Sequence, residues 1–449
     1  MIRYRARWVL PISAPPIADG VVAVEGDRIV WVGPAVAVPQ GEDRDLGNAL
    51  LLPGLVNAHC HLELTAMRGF LEDLDFRSWI LRLTTAKRGV LSRDMLLDAA
   101  RLGIVEGLGR GVTTYADTCD SGVAFEAMRE LGVRGIMYQE AFGPDPAQSA
   151  GSLAELRSKI DSLRPLETPL VRVGVSPHAP YTVSDALFTA VGKYAREADL
   201  PIAVHIAESA VEQSLVVQGT GVFADGLRGR GISVTPRARS PIALLLALGV
   251  LEARPLLIHC VRVDESDVAI IADTRCAVAH CPASNAKLGH GIAPLSSLLA
   301  SRVPVGLGSD SVASNNQMDI LEEARLALLL QRARLTAPAI IPASVALSLA
   351  TLDGARALGL EREIGSLETG KAADLAAFPS ENLGPVHDPE AHAVLTVPGT
   401  MASLVTVAGR ELVRDSKPVN VDPMLMERVQ QSANALDRWL RSESGRNIP

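Results

Sequence analysis

Short apolar runs of β type alternate with longer helical stretches through the middle of the chain. The runs are Leu51–Ala58, Val112–Ala116, Val133–Tyr138, Val171–Ser176, Ile202–Val204, Leu256–Ile258, Cys276–Ala279 and Val303–Leu307. Each is followed by enough residues for a helix. Eight successive βα units predict a parallel (β/α)8 TIM barrel, an α/β fold whose chemistry gathers at the C-terminal strand ends. A doubly wound open sheet is the alternative. It needs a glycine-rich phosphate turn after the first strand, where this chain instead runs into His59.

The two ends of the chain read differently. Gly20–Val24 and Arg28–Val32 flank Gly26–Asp27, a hairpin signal. Ala373–Phe378, Ala402–Val407 and Glu411–Val413 have the same strand texture near the C-terminus. Neither piece is long enough to bury a core alone, so the two are expected to combine. The expected organisation is a composite β-sandwich from 1–53 plus 366–420, a barrel over 54–365, and a C-terminal helix over 421–449.

Composition narrows the function. Of the 449 residues, 48% are hydrophobic, enough for a large core. A net charge of −8 and only 4% aromatic residues speak against a nucleic-acid binder. No apolar run reaches membrane-span length, and no leader-like segment opens the chain. Five cysteines do not make a disulfide framework. These features predict a cytoplasmic protein with no nucleic-acid or membrane partner; a small-molecule substrate and a homo-oligomer are the further expectations.

Candidate chemistry falls where the strands finish. Strand one ends in His59-Cys60-His61, and the later strands run into His178, His205, His259, His280 and Asp310. Residues two apart on a strand face the same way, so His59 and His61 are expected to point to the barrel axis. Neutral imidazoles with a carboxylate suit zinc, with iron or manganese also compatible. The expected ligands of one divalent metal, Zn2+ by preference, are His59, His61, His205 and Asp310. Such a metal activates water near neutral pH. Glu208, three residues past His205, is a candidate proton donor to a substrate ring nitrogen; a solvated loop glutamate is the plainer alternative. His259 is a candidate for stabilising the developing oxyanion, or else an extra ligand in a two-metal site. Cys60, Cys260 and Cys281 alternate away from the axis and read as small buried hydrophobes.

On these residues the chain resembles the amidohydrolase superfamily. The resemblance is to the group of cytosine and guanine deaminases, triazine chlorohydrolases and S-adenosylhomocysteine/methylthioadenosine deaminases. The matching segments are PGLVNAHCHLE (Pro53–Glu63), SPHAPYTVS (Ser176–Ser184), HIAES (His205–Ser209), HCVRV (His259–Val263), HCPASNAKLGHGIAP (His280–Pro294), GLGSDS (Gly306–Ser311) and GSLETGKAADLAAF (Gly365–Phe378). The resemblance implies the barrel, the flanking sandwich and a mononuclear site, since no strand-four lysine stands where binuclear relatives carry one. It matches the four ligands above. It also gives Glu208, His259 and Asp310 as the proton-transfer residues, with Asp310 taking a proton from the water. His178 becomes a substrate-contact candidate. The implied activity is hydrolytic deamination of an aminated heteroaromatic ring, on an adenine-nucleoside-like substrate such as S-adenosylhomocysteine or aminodeoxyfutalosine. The HLEL opening and the SPIALLLALGVL run look like aminodeoxyfutalosine deaminases. Similar nucleoside deaminases hold ribose with a glutamate shortly after the first-strand loop; here Trp79–Ser92 has Lys87 and Arg88 but no acidic residue.

Further substrate-contact candidates are Trp79, Ser284, Asn285, Arg228 and Arg237. The last two lie in an arginine-rich segment (with Arg230 and Arg239) that could clamp a carboxylate or serve only as a solvated basic lid. Gly365–Lys371 has Walker A spacing but lacks the Ser/Thr and the following helix, and is set aside. His387 and His392 read as surface residues, and His290 as surface or pocket. The rival activities are a chlorohydrolase, a guanine or cytosine deaminase, a cyclic amidase, or a non-catalytic scaffold barrel.

Overall fold

The computed structural model describes residues 1–442. Eight strands follow one another in chain order. Leu55–Cys60, Val112–Cys119, Arg134–Ala141 and Val171–Pro177 form one four-stranded parallel sheet. Ala203–Ile206, Leu256–His259, Ala277–His280 and Val305–Leu307 form a second. Parallel bridges Val175–Ile202 and Cys60–Asp310 join the two sheets at both edges, so the last strand meets the first. This is a TIM-barrel-type α/β arrangement. Helices such as Arg93–Gly109, Val123–Leu131 and Asp185–Glu197 fill the connections. Most of the strand residues are buried, as expected of a parallel sheet packed on both faces.

The expected first run, Leu51–Ala58, is two strands. Ala49–Pro53 belongs to the terminal sheet, and the barrel begins at Leu55. Gly54 makes the switch. A side chain there would collide with Thr113, its Cβ falling 2.1 Å from the hydroxyl oxygen, so only glycine lets the backbones pass this closely.

Both chain ends build one hydrogen-bonded nine-stranded sheet, not two separate ones. Ile17–Glu25 and Arg28–Pro34 form the expected hairpin, while Ile2–Val9 and Glu42–Asp45 are strands the pattern did not single out. The seam between the termini is the antiparallel pairing of Ala49–Pro53 with Leu375–Pro379. Tyr4, Val9, Val22, Leu51, Leu375 and Leu404 close an apolar cluster of its own. A buried ion pair, Arg134 to Asp374 at 2.8 Å, ties this sheet to the third barrel strand. The C-terminal helix runs Leu425–Arg441 and packs on Arg93–Gly109 through Leu425 and Val429; residues 443–449 of the expected helix lie outside the described residues. His392 is a correction: it is buried in the helix Pro389–Leu395, not on the surface.

Candidate metal centre and active site

Four side chains from three strand ends converge. His59 and His61 flank the end of the first barrel strand, His205 lies in the fifth, and Asp310 follows the eighth. The His59 ring lies 4.8 Å from that of His61 and 4.9 Å from that of His205. Asp310 Oδ1 is 3.3 Å from His59 Nε2 and 3.5 Å from His61 Nε2. Ring nitrogens of His59, His61 and His205 lie within 4.8 Å of one another, as do atoms of His59, His259 and Asp310. Both nitrogens of His59 and Nδ1 of His205 are buried without a hydrogen-bond partner. Buried polar atoms are rarely left so, and an ion among them resolves the deficit.

A second layer fixes these groups. His61 Nδ1 donates to the Thr118 carbonyl at 2.8 Å, leaving Nε2 toward Asp310. Asp310 Oδ2 accepts from the Ser284 hydroxyl at 2.5 Å and from that of Ser314 at 2.9 Å, which leaves Oδ1 free. Such partners set ligand orientation. His259 Nδ1 donates to Asn285 Oδ1 at 3.0 Å, so Nε2 turns to Glu208 Oε1, 3.5 Å away. Glu208 Oε1 also lies 3.4 Å from His290 Nε2. The Ala207 and Glu208 backbone N–H groups donate to Glu212 at 2.8 and 2.9 Å, locking the turn that presents Glu208. Ala207, His259 and Asp310 all have positive φ (53°, 77° and 56°). Strain of this kind in non-glycine residues is held where surrounding structure demands it, commonly at functional sites.

Burial sets the protonation states. It pushes His61 down to about 3 and His178 to about 4, and it lowers His59 and His205 as well, so the imidazoles are neutral and able to bind a cation. Burial alone would raise Asp310, but the close approach of His59 Nε2, 3.3 Å from Oδ1, and of the His259 and His61 rings holds it well below the carboxylate range. Glu208 is likewise lowered: desolvation opposes ionisation, and His259 and His290 outweigh it.

A cavity of about 370 Å³ opens onto this cluster. His61, His205, Glu208, His259 and Asp310 line its inner end; Phe76, Trp79, Phe142 and Tyr181 form its sides; Lys87, Arg88 and Arg230 are its cations. Phe223 stacks on Tyr181 at 4.3 Å, and His290, buried, packs on Phe76 at 4.5 Å. Trp79 and His178 face the cavity. Ser284 and Asn285, the other candidates for substrate contact, do not line it; they are buried and bond to Asp310 and His259. Arg228 and Arg237 do not line the cavity either. Arg228 bonds to the Gly219 carbonyl and Asp225, and Arg237 to the Pro180 carbonyl and Asp185. Of that segment, Arg230 reaches the cavity.

Sequence reasoning missed Glu63, Asp120, Glu140 and Glu212. Lys87 bonds to both Glu63 and Asp120. Glu140 was legible in principle. Strand three runs Arg134–Ala141, three residues past its expected end, so Glu140 sits at a C-terminal strand end. Cys60, Cys260 and Cys281 are buried free thiols.

The sequence profile of the amidohydrolase family matches residues 50–412. Over 422 residues the chain is 33% identical to the 5-methylthioadenosine/S-adenosylhomocysteine deaminase of Moorella thermoacetica, covering 92% of this chain and 94% of that one. An adenosine deaminase from Xanthomonas campestris, solved with bound zinc, superposes with a TM-score of 0.86 at 29% identity, over 97% of this chain and 98% of that one. The atrazine chlorohydrolase of Arthrobacter aurescens, also solved with zinc, gives 0.83 at 27% identity, over 97% and 100%.

Proposed function

The chain belongs to the amidohydrolase family, and from that premise we propose that it is a metal-dependent hydrolytic deaminase of an adenine-nucleoside-like substrate. The observation that carries this reading is the cavity's inner end, where His59, His61, His205 and Asp310 face one another beside Glu208 and His259. We read the barrel, 54–365, as the part that does the chemistry, 1–53 with 366–420 as a composite β unit, and 421–449 as a C-terminal extension.

His59, His61, His205 and Asp310 would hold one divalent ion, zinc by the donor set and by the zinc in both solved neighbours. Bound there, it supplies Lewis acidity and a water acidified toward neutral pH. The protein's own groups do the rest. Asp310 Oδ1, free of the serine hydroxyls, takes the proton of the attacking water. Glu208, ionised at rest, receives that proton and hands it to the ring nitrogen beside the attacked carbon, then relays the proton of the added hydroxyl to the amine as the C–N bond breaks, so both carboxylates end ionised as they began. His259, held through Asn285, hydrogen-bonds the oxygen arriving on that carbon. Water and the amine are consumed; the hydroxylated ring and ammonia leave. The aromatic sides suit a flat ring. Arg88 and Arg230 at the outer end suit a substituent with a carboxylate, as in S-adenosylhomocysteine or aminodeoxyfutalosine.

The test is ammonia release by zinc-loaded protein from adenosine, 5′-methylthioadenosine, S-adenosylhomocysteine, aminodeoxyfutalosine, guanine, cytosine and a chlorotriazine. Ammonia from the adenine nucleosides is expected. Chloride release with no ammonia from any amine would move the assignment to the chlorohydrolases.

A further inference from the structure

The carboxylates lining the cavity are engaged by protein groups, with one exception. Glu63 and Asp120 are tied to Lys87, and Glu63 also to the Ser121 hydroxyl. Glu208 faces His259 and His290, and Asp310 accepts from Ser284 and Ser314. Glu140 stands apart. Its side chain is 7% exposed and lines the cavity, and its Oε1 is buried with no hydrogen-bond partner. His178 Nε2 lies 3.9 Å from that oxygen, beyond hydrogen-bond reach.

The free valence on His178 has a definite sign. The Thr182 hydroxyl donates to the Ala179 carbonyl at 3.1 Å, so its oxygen accepts the 2.7 Å bond from His178 Nδ1–H. The neutral ring then carries its hydrogen on Nδ1 and presents Nε2 as an acceptor. Two acceptors, Glu140 Oε1 and His178 Nε2, thus face the same cavity with nothing in the protein to donate to them. They call for a ligand that brings donors. An adenine nucleoside has strong donors in two places, the exocyclic amine and the sugar hydroxyls, and deamination commits the amine to the metal end.

We propose that Glu140, with His178, is a specificity-determining substrate contact that accepts hydrogen bonds from the sugar hydroxyls. This rests on the deaminase reading and assigns the sugar its place in that site. It makes the protein selective for ribonucleosides over their deoxy analogues, through a group on the third strand.

The experiment compares wild type, Glu140→Gln and Glu140→Leu on matched adenine nucleosides with the full ribose, the 2′-deoxy sugar and the 3′-deoxy sugar. It reads kcat and KM, calorimetric binding of the same nucleosides, and zinc per chain. Wild type is expected to favour the ribonucleoside by about tenfold, one hydrogen bond's worth. Glu140→Leu should bring that ratio close to one, mainly through KM and affinity. Glu140→Gln, which keeps size and one acceptor, should fall between. A ribose preference unchanged in Glu140→Leu overturns the proposal. So does zinc falling from two to one per chain in the variants, which would make Glu140, His178 and His205 a second metal site. Deamination of free bases but of no nucleoside overturns the sugar contact and leaves the deaminase standing. No ammonia from any amine, with wild type still binding ribonucleosides in preference to deoxy forms, sinks the deaminase reading and supports the contact.

Discussion

The cavity has two ends built on different principles. At the inner end the polar groups grow from strand ends or from the one to three residues past them, are buried or nearly so, and are held by neighbouring residues: Asp310 by Ser284 and Ser314, His259 by Asn285, Glu208's turn by Glu212. The outer end is built from the helix Phe76–Val90 and the segment around Arg230. There Arg88 and Arg230 are exposed, and neither makes an ion pair among the described residues. Strand ends fix geometry because the sheet hydrogen bonds fix them; loops and helix flanks can change without disturbing that frame. On the proposed function, the inner end would set the reaction and the outer end which substituent is accepted. Substitutions should sort accordingly: inner ones lower kcat, outer ones raise KM for charged substrates.

The largest effect is expected from the inner end's proposed anionic ligand. Asp310→Asn, or chelation of the metal, should abolish ammonia release, and zinc should restore the chelated wild type but not the variant. Metal content and circular dichroism check that the barrel survives. Next comes Glu208→Gln, with kcat down by about 10²–10⁴ as for loss of a general acid. Near wild-type turnover in that variant would place the proton donor elsewhere.

Acid should separate the two ends as well. Burial lowers His61 to about 3, His178 to about 4 and His280 to about 3, against an ordinary 6.5. Between those values the unfolded chain binds more protons than the folded one. The stability these histidines contribute is thus present above about 6.5 and is lost as pH falls toward 4, each tenfold difference in proton affinity between the two states being worth about 1.4 kcal/mol. The melting temperature of metal-free protein should drop steeply across that range. Alanine at Arg88 or Arg230 should leave the slope alone. A flat profile would mean that the inner imidazoles are not held neutral by burial.

The residues behind the ligands come next. Ser284→Ala, Asn285→Ala and Glu212→Gln should each cost about 10–100-fold in activity or zinc affinity, the usual weight of groups that orient ligands. Their legibility differs from that of the ligands they serve. The four candidate ligands announce themselves as polar residues at or just past the ends of apolar runs, and the structure brings their side chains together. Ser284 and Asn285 lie on the short helix Pro282–Lys287, where no period says whether a side chain meets substrate or a neighbour. Arg228, Arg230 and Arg237 show the same limit. Arginines spaced along the one stretch after strand five look alike in sequence, and only the path of the backbone decides which one enters the cavity. The barrel was legible because eight apolar runs recur with helical spacers. The single terminal sheet was less so, because its pairings join residues far apart in the chain, as Leu51 with Ala377 does.

The smallest effect, and the sharpest test of the contrast, belongs to the rim. An exposed charge pair contributes about 0.2–1 kcal/mol, so Arg88→Ala and Arg230→Ala should each raise KM for S-adenosylhomocysteine or aminodeoxyfutalosine by only about two- to fivefold. The double variant should approach the product of the two, since the arginines come from separate elements. 5′-Methylthioadenosine has no carboxylate, so its KM should not move, and added salt should erode the wild-type preference for charged substrates while sparing the neutral one. If kcat for the neutral nucleoside falls in either variant, the rim arginines act on the inner end, and the division of labour between strand ends and rim does not hold.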